Sequence, residues 1–329
     1  MESIEKKLLP LNAPVRSRLR SIFRRRRKPF EVYGLLSEFL STNGKLLRPA
    51  LCLCACRAVG GKARQAVSAA TAIEMFHNFT LIHDDIEDES RMRRGRPCMH
   101  VKYGLPLALN SGDGLFMMVW QEALRLGGSR EMKAQRLLLS AFTNVLEGQA
   151  RELGWYWKKR WSVKPGEYYQ VVGGKTGALI SVSCEVGGLL GGADAKTCKA
   201  LRDFGMGIGI GFQMIDDLLN IVGDEKKYGK EMGGDIREGK RTLLTIYALR
   251  MLPGARRRRL WGLLKKEGKG KADVSEAIRL IKESGAPTVV KAAAEKKIAS
   301  AMRCLQALPE NEGKRNLTEL AGYITRRKR

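Results

Sequence analysis

Along most of this chain apolar residues recur every three or four positions, and short Gly or Pro breaks separate the periodic stretches. Alternating patterns of strand type are scarce. The periodicity predicts helices over residues 48–60, 64–88, 112–126, 131–153, 166–173, 175–190, 195–222 and 240–252. Shorter, more basic helices are expected over 273–284, 287–307 and 315–326. Arg48-Pro49 opens the first of them, because proline in a first helical turn forfeits no internal hydrogen bond. Residues 64–88 contain no Gly or Pro and are rich in Ala, Ile, Phe and Leu, so a long, heavily buried helix is expected. No linker or shift of composition divides the chain. The expected architecture is one all-α domain over residues 1–329, a single bundle with a basic N-terminal segment 1–30 and a C-terminal tail 310–329 at its periphery.

Two of the apolar helices carry acidic clusters. The first ends in His83-Asp84-Asp85-Ile86-Glu87-Asp88-Glu89. Asp84 and Asp88 stand four apart, which places both carboxylates on one helix face about 6 Å from each other. Two such groups repel unless a cation lies between them, and hard oxygen donors at this spacing suit Mg²⁺. A solvated acidic helix end is the alternative reading of a lone D-D-x-x-D. Arg91, Arg93, Arg94 and Arg96 follow at once, and guanidinium forks pair well with phosphate, so metal and metal-borne anion share one compact site. In the second cluster Gln213, Asp216, Asp217 and Asn220 fall at i, i+3, i+4 and i+7. They form one polar stripe on an otherwise hydrophobic helix, costly to bury without a partner. The preceding Gly205–Gly211 run has no strand before it, so it reads as close helix packing rather than a phosphate loop. Lys175-Thr176, Gly229-Lys230, Gly233-Gly234-Asp235 and Glu238-Gly239-Lys240-Arg241-Thr242 add cations and turns around the second stripe.

Composition widens the picture rather than narrowing it. Sixty Lys and Arg against thirty-four Asp and Glu leave a net charge of +26, a field that attracts phosphorylated metabolites, nucleic acid or acidic membranes alike. The excess sits in blocks: Arg24 to Lys28, Arg256 to Arg259, Lys265 to Lys271 and Arg326 to Arg329. These read as a solvated surface, with loose association to an anionic membrane as the alternative. Few aromatics interleave with them, which argues against specific nucleic-acid binding. Seven Cys without a C-x-x-C pair and without a secretory signal point to reduced thiols in a cytoplasm.

The motifs together resemble the isoprenyl diphosphate synthase family over roughly residues 40 to 250. The resemblance rests on Gly44-Lys45-x-x-Arg48-Pro49, on His83 to Pro97, on Lys175-Thr176, on Phe212-Gln213-x-x-Asp216-Asp217 and on Gly234-Asp235-x-x-Glu238-Gly239-Lys240. It implies antiparallel helices around a deep cavity, usually in a homodimer. It also implies a trans-prenyltransferase joining isopentenyl diphosphate to an allylic diphosphate such as dimethylallyl, geranyl or farnesyl diphosphate. Asp84, Asp85 and Asp88 would hold two Mg²⁺ and Asp216 a third, with Asp217 assisting. Arg93, Lys175, Lys230 and Lys240 would complete the allylic diphosphate pocket. Lys45, Arg48, His77 and Arg94 would bind the second diphosphate, and Thr176 and Gln213 would lie beside the reacting carbons. The family's second motif often ends in Asp where this chain has Asn220, whose carbonyl can still accept a hydrogen bond from metal-bound water.

Product length should follow from whatever closes the cavity floor. Thr80 lies one turn before Asp84 and Phe79 about 7.5 Å before it along the axis. Periodicity alone leaves Phe79 open as an ordinary core residue. An aromatic there, a small residue next to it and no insertion within D-D-x-x-D resemble archaeal-type geranylgeranyl diphosphate synthases, which implies a C20 product, with C15 or a C15/C20 mixture as the alternative. A terpene cyclase would need no second diphosphate pocket, and a non-catalytic family member would not need both clusters.

Overall fold

The computed structural model describes residues 4–26, 28–41, 44–223 and 232–325. The helices are α1 (Ile4–Arg25), α2 (Leu35–Ser41), α3 (Leu47–Ala58), α4 (Val67–Glu87), α5 (Met99–Tyr103), α6 (Leu105–Ala123), α7 (Ser129–Trp157) and α8 (Pro165–Val172). They continue as α9 (Ala178–Gly191), α10 (Ala195–Val222), α11 (Gly234–Glu238), α12 (Leu243–Met251), α13 (Gly254–Lys265), α14 (Lys271–Glu283), α15 (Ala286–Cys304) and α16 (Glu312–Thr325). Among the described residues the only strands are β1 (Met92–Arg93) and β2 (Arg96–Pro97), paired antiparallel with Met92 opposite Pro97. The all-α expectation holds. Helix α6 starts seven residues earlier than its pattern suggested, because Pro106 lies in its first turn and acts as a start signal.

Two compact units are formed. One comprises the chain up to Phe142 with Leu179–Arg202 and Gln306–Leu320; the other comprises Thr143–Ala178, Asp203–Leu305 and the chain from Ala321. In the first, α4 packs against α1, α3 and α6. Its buried face of Ile73, Met75, Phe76, Phe79 and Ile82 anchors the helix, each such side chain contributing about 1.5–3 kcal/mol on burial. Helices α3 and α9 approach at glycine: a Cβ at Gly187 would stand 2.1 Å from the Cys52 carbonyl oxygen.

Both terminal segments supply buried side chains. In α1, Leu8, Val15, Leu19 and Phe23 are buried, and Arg18 donates two hydrogen bonds, of 2.8 and 2.7 Å, to the buried Glu122. The high density of Arg hides an apolar stripe at i, i+7, i+11 and i+15, and that stripe decides the packing. Helix α16 likewise buries Leu317, Leu320, Ala321 and Ile324.

In the second unit α8, α10, α12, α13, α14 and α15 share one apolar core that includes Tyr168, Met214, Leu218, Leu243, Leu260, Ile281 and Val290. The Gly205–Gly211 run does serve close packing. A Cβ at Gly207 would meet Ala301 at 2.7 Å, one at Gly211 would meet Ile298 at 2.6 Å, and one at Gly209 would meet the Gly177 Cα at 2.7 Å.

Candidate active site

Helix α4 ends inside the first acidic cluster. Asp88 is its C-cap; the Glu89 amide donates to the Ile86 carbonyl at 3.2 Å and the Ser90 amide to the Asp85 carbonyl at 2.9 Å. This closes the helix as a Schellman turn with Glu89 left-handed at φ 50°. The chain then turns through the β1–β2 hairpin, whose two central residues, Arg94 and Gly95, both have positive φ (52° and 76°), as a two-residue turn matching the strand twist requires. The hairpin sends its arginines to different places. Arg93 Nε donates to Asp85 Oδ1 at 2.7 Å, while Asp85 Oδ2 is buried without a hydrogen-bond donor among the described residues. The Arg94 guanidinium lies against Gly44, where a Cβ would come within 2.7 Å of it.

The charges of Arg48 and Arg94 are felt both by the half-buried His77 and by a buried residue that the motifs did not flag, Glu74. Burial raises the Glu74 pKa, opposed by Arg48, by a 2.9 Å hydrogen bond from Asn78 and by Arg94. Burial lowers the Arg48 pKa, and burial reinforced by Arg48, Arg94 and Arg93 holds the His77 pKa well below 6.5. His77 is therefore a neutral imidazole and offers a hydrogen bond rather than a charge. Lys45 is exposed just before α3. Glu74 and Asn78 are spaced i, i+4 on an apolar helix, a signal the sequence held but that pointed nowhere until Arg48 was placed beside it.

Phe79 is not a lone floor residue. Its ring lies 5.0 Å from Phe116, 5.5 Å from Phe76 and 4.6 Å from His83, and Phe76 stacks on Phe142 at 3.8 Å. Thr80 turns its hydroxyl onto the His77 carbonyl at 2.9 Å.

In the second unit the polar stripe of α10 is locked by hydrogen bonds. Tyr168 Oη donates to Asp217 Oδ2 at 2.6 Å and Gln213 Nε2 to Asp217 Oδ1 at 2.9 Å, while Thr176 Oγ1 donates to Gln213 Oε1 at 3.1 Å. Burial, then Asp235, raises the Asp217 pKa to about 7. Both oxygens of Asp217 are thus engaged by neutral donors. Asn220 has a role the sequence did not suggest. Its side-chain carbonyl accepts the Asp235 amide at 3.1 Å and its backbone carbonyl accepts the Gly233 amide at 2.8 Å, so it fastens the loop. Lys175 pairs with Glu152 at 2.9 Å, and Lys240 with Asp235 at 3.3 Å and Glu238 at 2.6 Å. Lys230 lies outside the described residues.

Arg241 holds this loop in place. It donates to the carbonyls of Arg160, Gly239 and Trp155 at 3.1, 2.7 and 3.4 Å, and its guanidinium lies 4.3 Å from the Tyr156 ring and 4.2 Å from the Trp161 ring. Sequence reading took it for one more cation beside Lys240; its aromatic partners are eighty residues away in the chain.

The donor set suits a divalent cation. Asp84, Asp85 and Asp88 are hard oxygen donors, and Asp85 keeps one buried oxygen without a donor. Among the described residues no three His, Cys, Asp or Glu close around one point. Hard oxygen donors of this kind suit a divalent cation that completes its shell with waters.

An all-α protein with two aspartate pairs, each flanked by cations, is the architecture of a prenyl-transferring enzyme, and comparison with known proteins agrees. The polyprenyl synthetase family model matches residues 31–281. The short chain isoprenyl diphosphate synthase of Methanothermobacter thermautotrophicus is 37% identical over 294 residues, covering 88% of this chain and 89% of the relative. The geranylgeranyl diphosphate synthase of Methanosarcina mazei is 36% identical, covering 91% of each. The crystal structure of geranylgeranyl pyrophosphate synthetase from Pyrococcus horikoshii superposes with a TM-score of 0.92 at 32% identity, covering 98% of both chains. The chain belongs to the polyprenyl synthetase family and is a prenyltransferase that elongates isoprenoid diphosphates. Members of this family generally depend on a divalent metal.

Proposed function

We propose that this enzyme condenses isopentenyl diphosphate head-to-tail with an allylic diphosphate and releases geranylgeranyl diphosphate. The observation that carries the two-substrate reading is the surplus of cations beyond the one that pairs with the first cluster. Arg93 donates to Asp85, and Arg48 and Arg94 add further positive charge beside His77. An enzyme that ionises one diphosphate and cyclises it has no use for that surplus.

Three Mg²⁺, two on Asp84, Asp85 and Asp88 and one on Asp216, would neutralise charge on the departing diphosphate. Arg93, Lys175 and Lys240 hold that diphosphate while its bond to the allylic carbon breaks, with Lys230 as a further cation. Lys175 and Lys240 exchange their carboxylate partners for phosphate as substrate enters. Lys45, Arg48 and Arg94 grip the isopentenyl diphosphate, and neutral His77 adds a hydrogen-bond donor. Thr176 and Gln213, already bonded to each other, border the reacting carbons. Asp217 acts through its hydrogen bonds, keeping Gln213 oriented. The rings of Phe79, Phe76 and Phe116 keep water from the allylic cation.

Phe79, with Thr80 beside it, sets product length in this reading. The name shared by Methanosarcina and Pyrococcus relatives supports C20, while the short-chain name of the Methanothermobacter relative leaves room for C15. The reaction is assigned to the cytoplasm, and no described helix is long and apolar enough to cross a membrane. A homodimer is supported by the exposed stripe of Met132, Leu139, Leu146 and Leu153, spaced by seven along α7. Product chromatography after incubation with Mg²⁺, labelled isopentenyl diphosphate and primers of increasing length tests the whole reading. C20 is expected from the parent enzyme and longer chains from Phe79→Ala. A parent product of C30 or more overturns the length assignment, and an unchanged product from Phe79→Ala removes Phe79 from it.

A further inference from the structure

Away from both aspartate clusters, α1 and the segment Phe30–Ser41 enclose a cavity of about 740 Å³, within the size range of small-molecule sites. Its lining joins two unlike sets of side chains. Arg16, Arg20 and Arg24 stand four residues apart along one row of α1, and Arg26 follows 5.7 Å from the Tyr33 ring. Leu19, Phe23 and Leu40 supply an apolar floor, and Phe30, 59% exposed, forms an apolar wall.

The charges in this cavity do not balance. Among the described residues Arg20, Arg24 and Arg26 have no carboxylate partner; the Arg20 Nε reaches only the Arg16 carbonyl at 3.4 Å. Arg16 keeps a buried Nε without a hydrogen-bond partner, although its charge is felt by the buried Glu74. Glu38 is the one carboxylate in the lining, and it is taken: Lys102 and Tyr103 both donate to it. Like charges at i, i+4 repel one another, so a row of three arginines opposes the fold of α1. Exposed guanidinium forks without a carboxylate partner, beside bare aromatic and aliphatic surface, suit a ligand that is an anion at one end and a hydrocarbon at the other.

We infer that this cavity is a second, non-catalytic site for an amphiphilic phosphate, a prenyl phosphate or diphosphate of the kind the enzyme itself makes. The phosphate head lies on Arg20, Arg24 and Arg26, and the chain runs over Phe23, Leu19 and Phe30.

The test is equilibrium dialysis of labelled geranylgeranyl monophosphate, below its micellar concentration, against the full-length enzyme in EDTA. Binding is expected to exceed that of inorganic phosphate by roughly tenfold or more, because several methylenes are buried with the head. Arg20→Ala/Arg24→Ala should weaken it by roughly tenfold through lost charge-assisted hydrogen bonds, with turnover unchanged. Arg20→Lys/Arg24→Lys, which keeps charge but loses the fork, should also weaken it and serves if the alanine pair melts early. Arg48→Ala/Arg94→Ala should leave it in place. The inference fails if the Arg20 and Arg24 variants bind like the parent, if ATP or inorganic phosphate competes equally well, or if binding requires vesicles containing phosphatidic acid.

Discussion

At the end of α4, Asp85 meets a cation; on α10, Asp217 meets two neutral donors. Arg93 cancels charge at the first position, whereas Tyr168 and Gln213 fix geometry at the second and leave charge in place. The second carboxylate therefore feels its burial and Asp235, and its pKa rises to about 7. The difference follows from location. A helix end opens directly into a hairpin that can carry arginines, while a mid-helix carboxylate meets what its own helix and its neighbours bring, here Gln213 from α10 and Tyr168 from α8. One acidic group is held by charge and the other by fixed dipoles, and the two should respond differently to substitution.

The largest effects should come from the carboxylates themselves. Asp84→Ala and Asp216→Ala are each expected to lower turnover by about a thousandfold or more, because several kcal/mol of charge stabilisation disappear. Near-normal turnover in either would break the two-cluster reading. Tyr168→Phe removes one donor to Asp217 without changing shape and should cost about ten- to a hundredfold in the Mg²⁺ concentration needed for half-maximal rate. Arg93→Gln, by contrast, should raise the KM for the allylic substrate with a smaller change in that Mg²⁺ requirement; equal behaviour of the two variants would erase the comparison.

Arg241→Lys keeps the charge but loses the planar fork that grips three carbonyls between two rings. The expected outcome is a rise of roughly tenfold in the KM for the allylic diphosphate, through a loosened Lys240, with little change for isopentenyl diphosphate. If both constants move together, Arg241 supports the fold in general and not that loop.

The smallest effect concerns His77. Its folded-state pKa lies below the unfolded value of 6.5, so its contribution to stability is complete above 6.5. As pH falls, the unfolded chain takes a proton that the folded chain refuses, and stability declines. His77→Asn should flatten the melting temperature against pH on the acid side of 6.5, and an unaltered slope there would assign the effect to another group.

Much of this molecule was legible in its sequence. Helix α10 was placed to the residue, and α3, α4, α7 and α8 to within a few, since their apolar periods are long and uninterrupted. Helices α1 and α13 were hidden because arginine blocks masked narrow apolar stripes. Motif spacing named Asp84, Asp85, Asp88 and Asp216 as candidates and the family resemblance added Arg48, but neither could name Tyr168, Glu152 or Glu74. Each of those is an ordinary helical residue until a distant partner is set beside it.

By itself the sequence determined the helical class, the two acidic clusters and the cations adjacent in the chain, because periodicity and short spacings act within a few turns. The tertiary structure alone decided which cation meets which carboxylate, that His77 is neutral, that Asn220 ties down a loop, and that four arginines of the N-terminal helix region border one apolar cavity. Those outcomes depend on burial and on contacts between residues far apart in the chain, and local pattern carries no information about either.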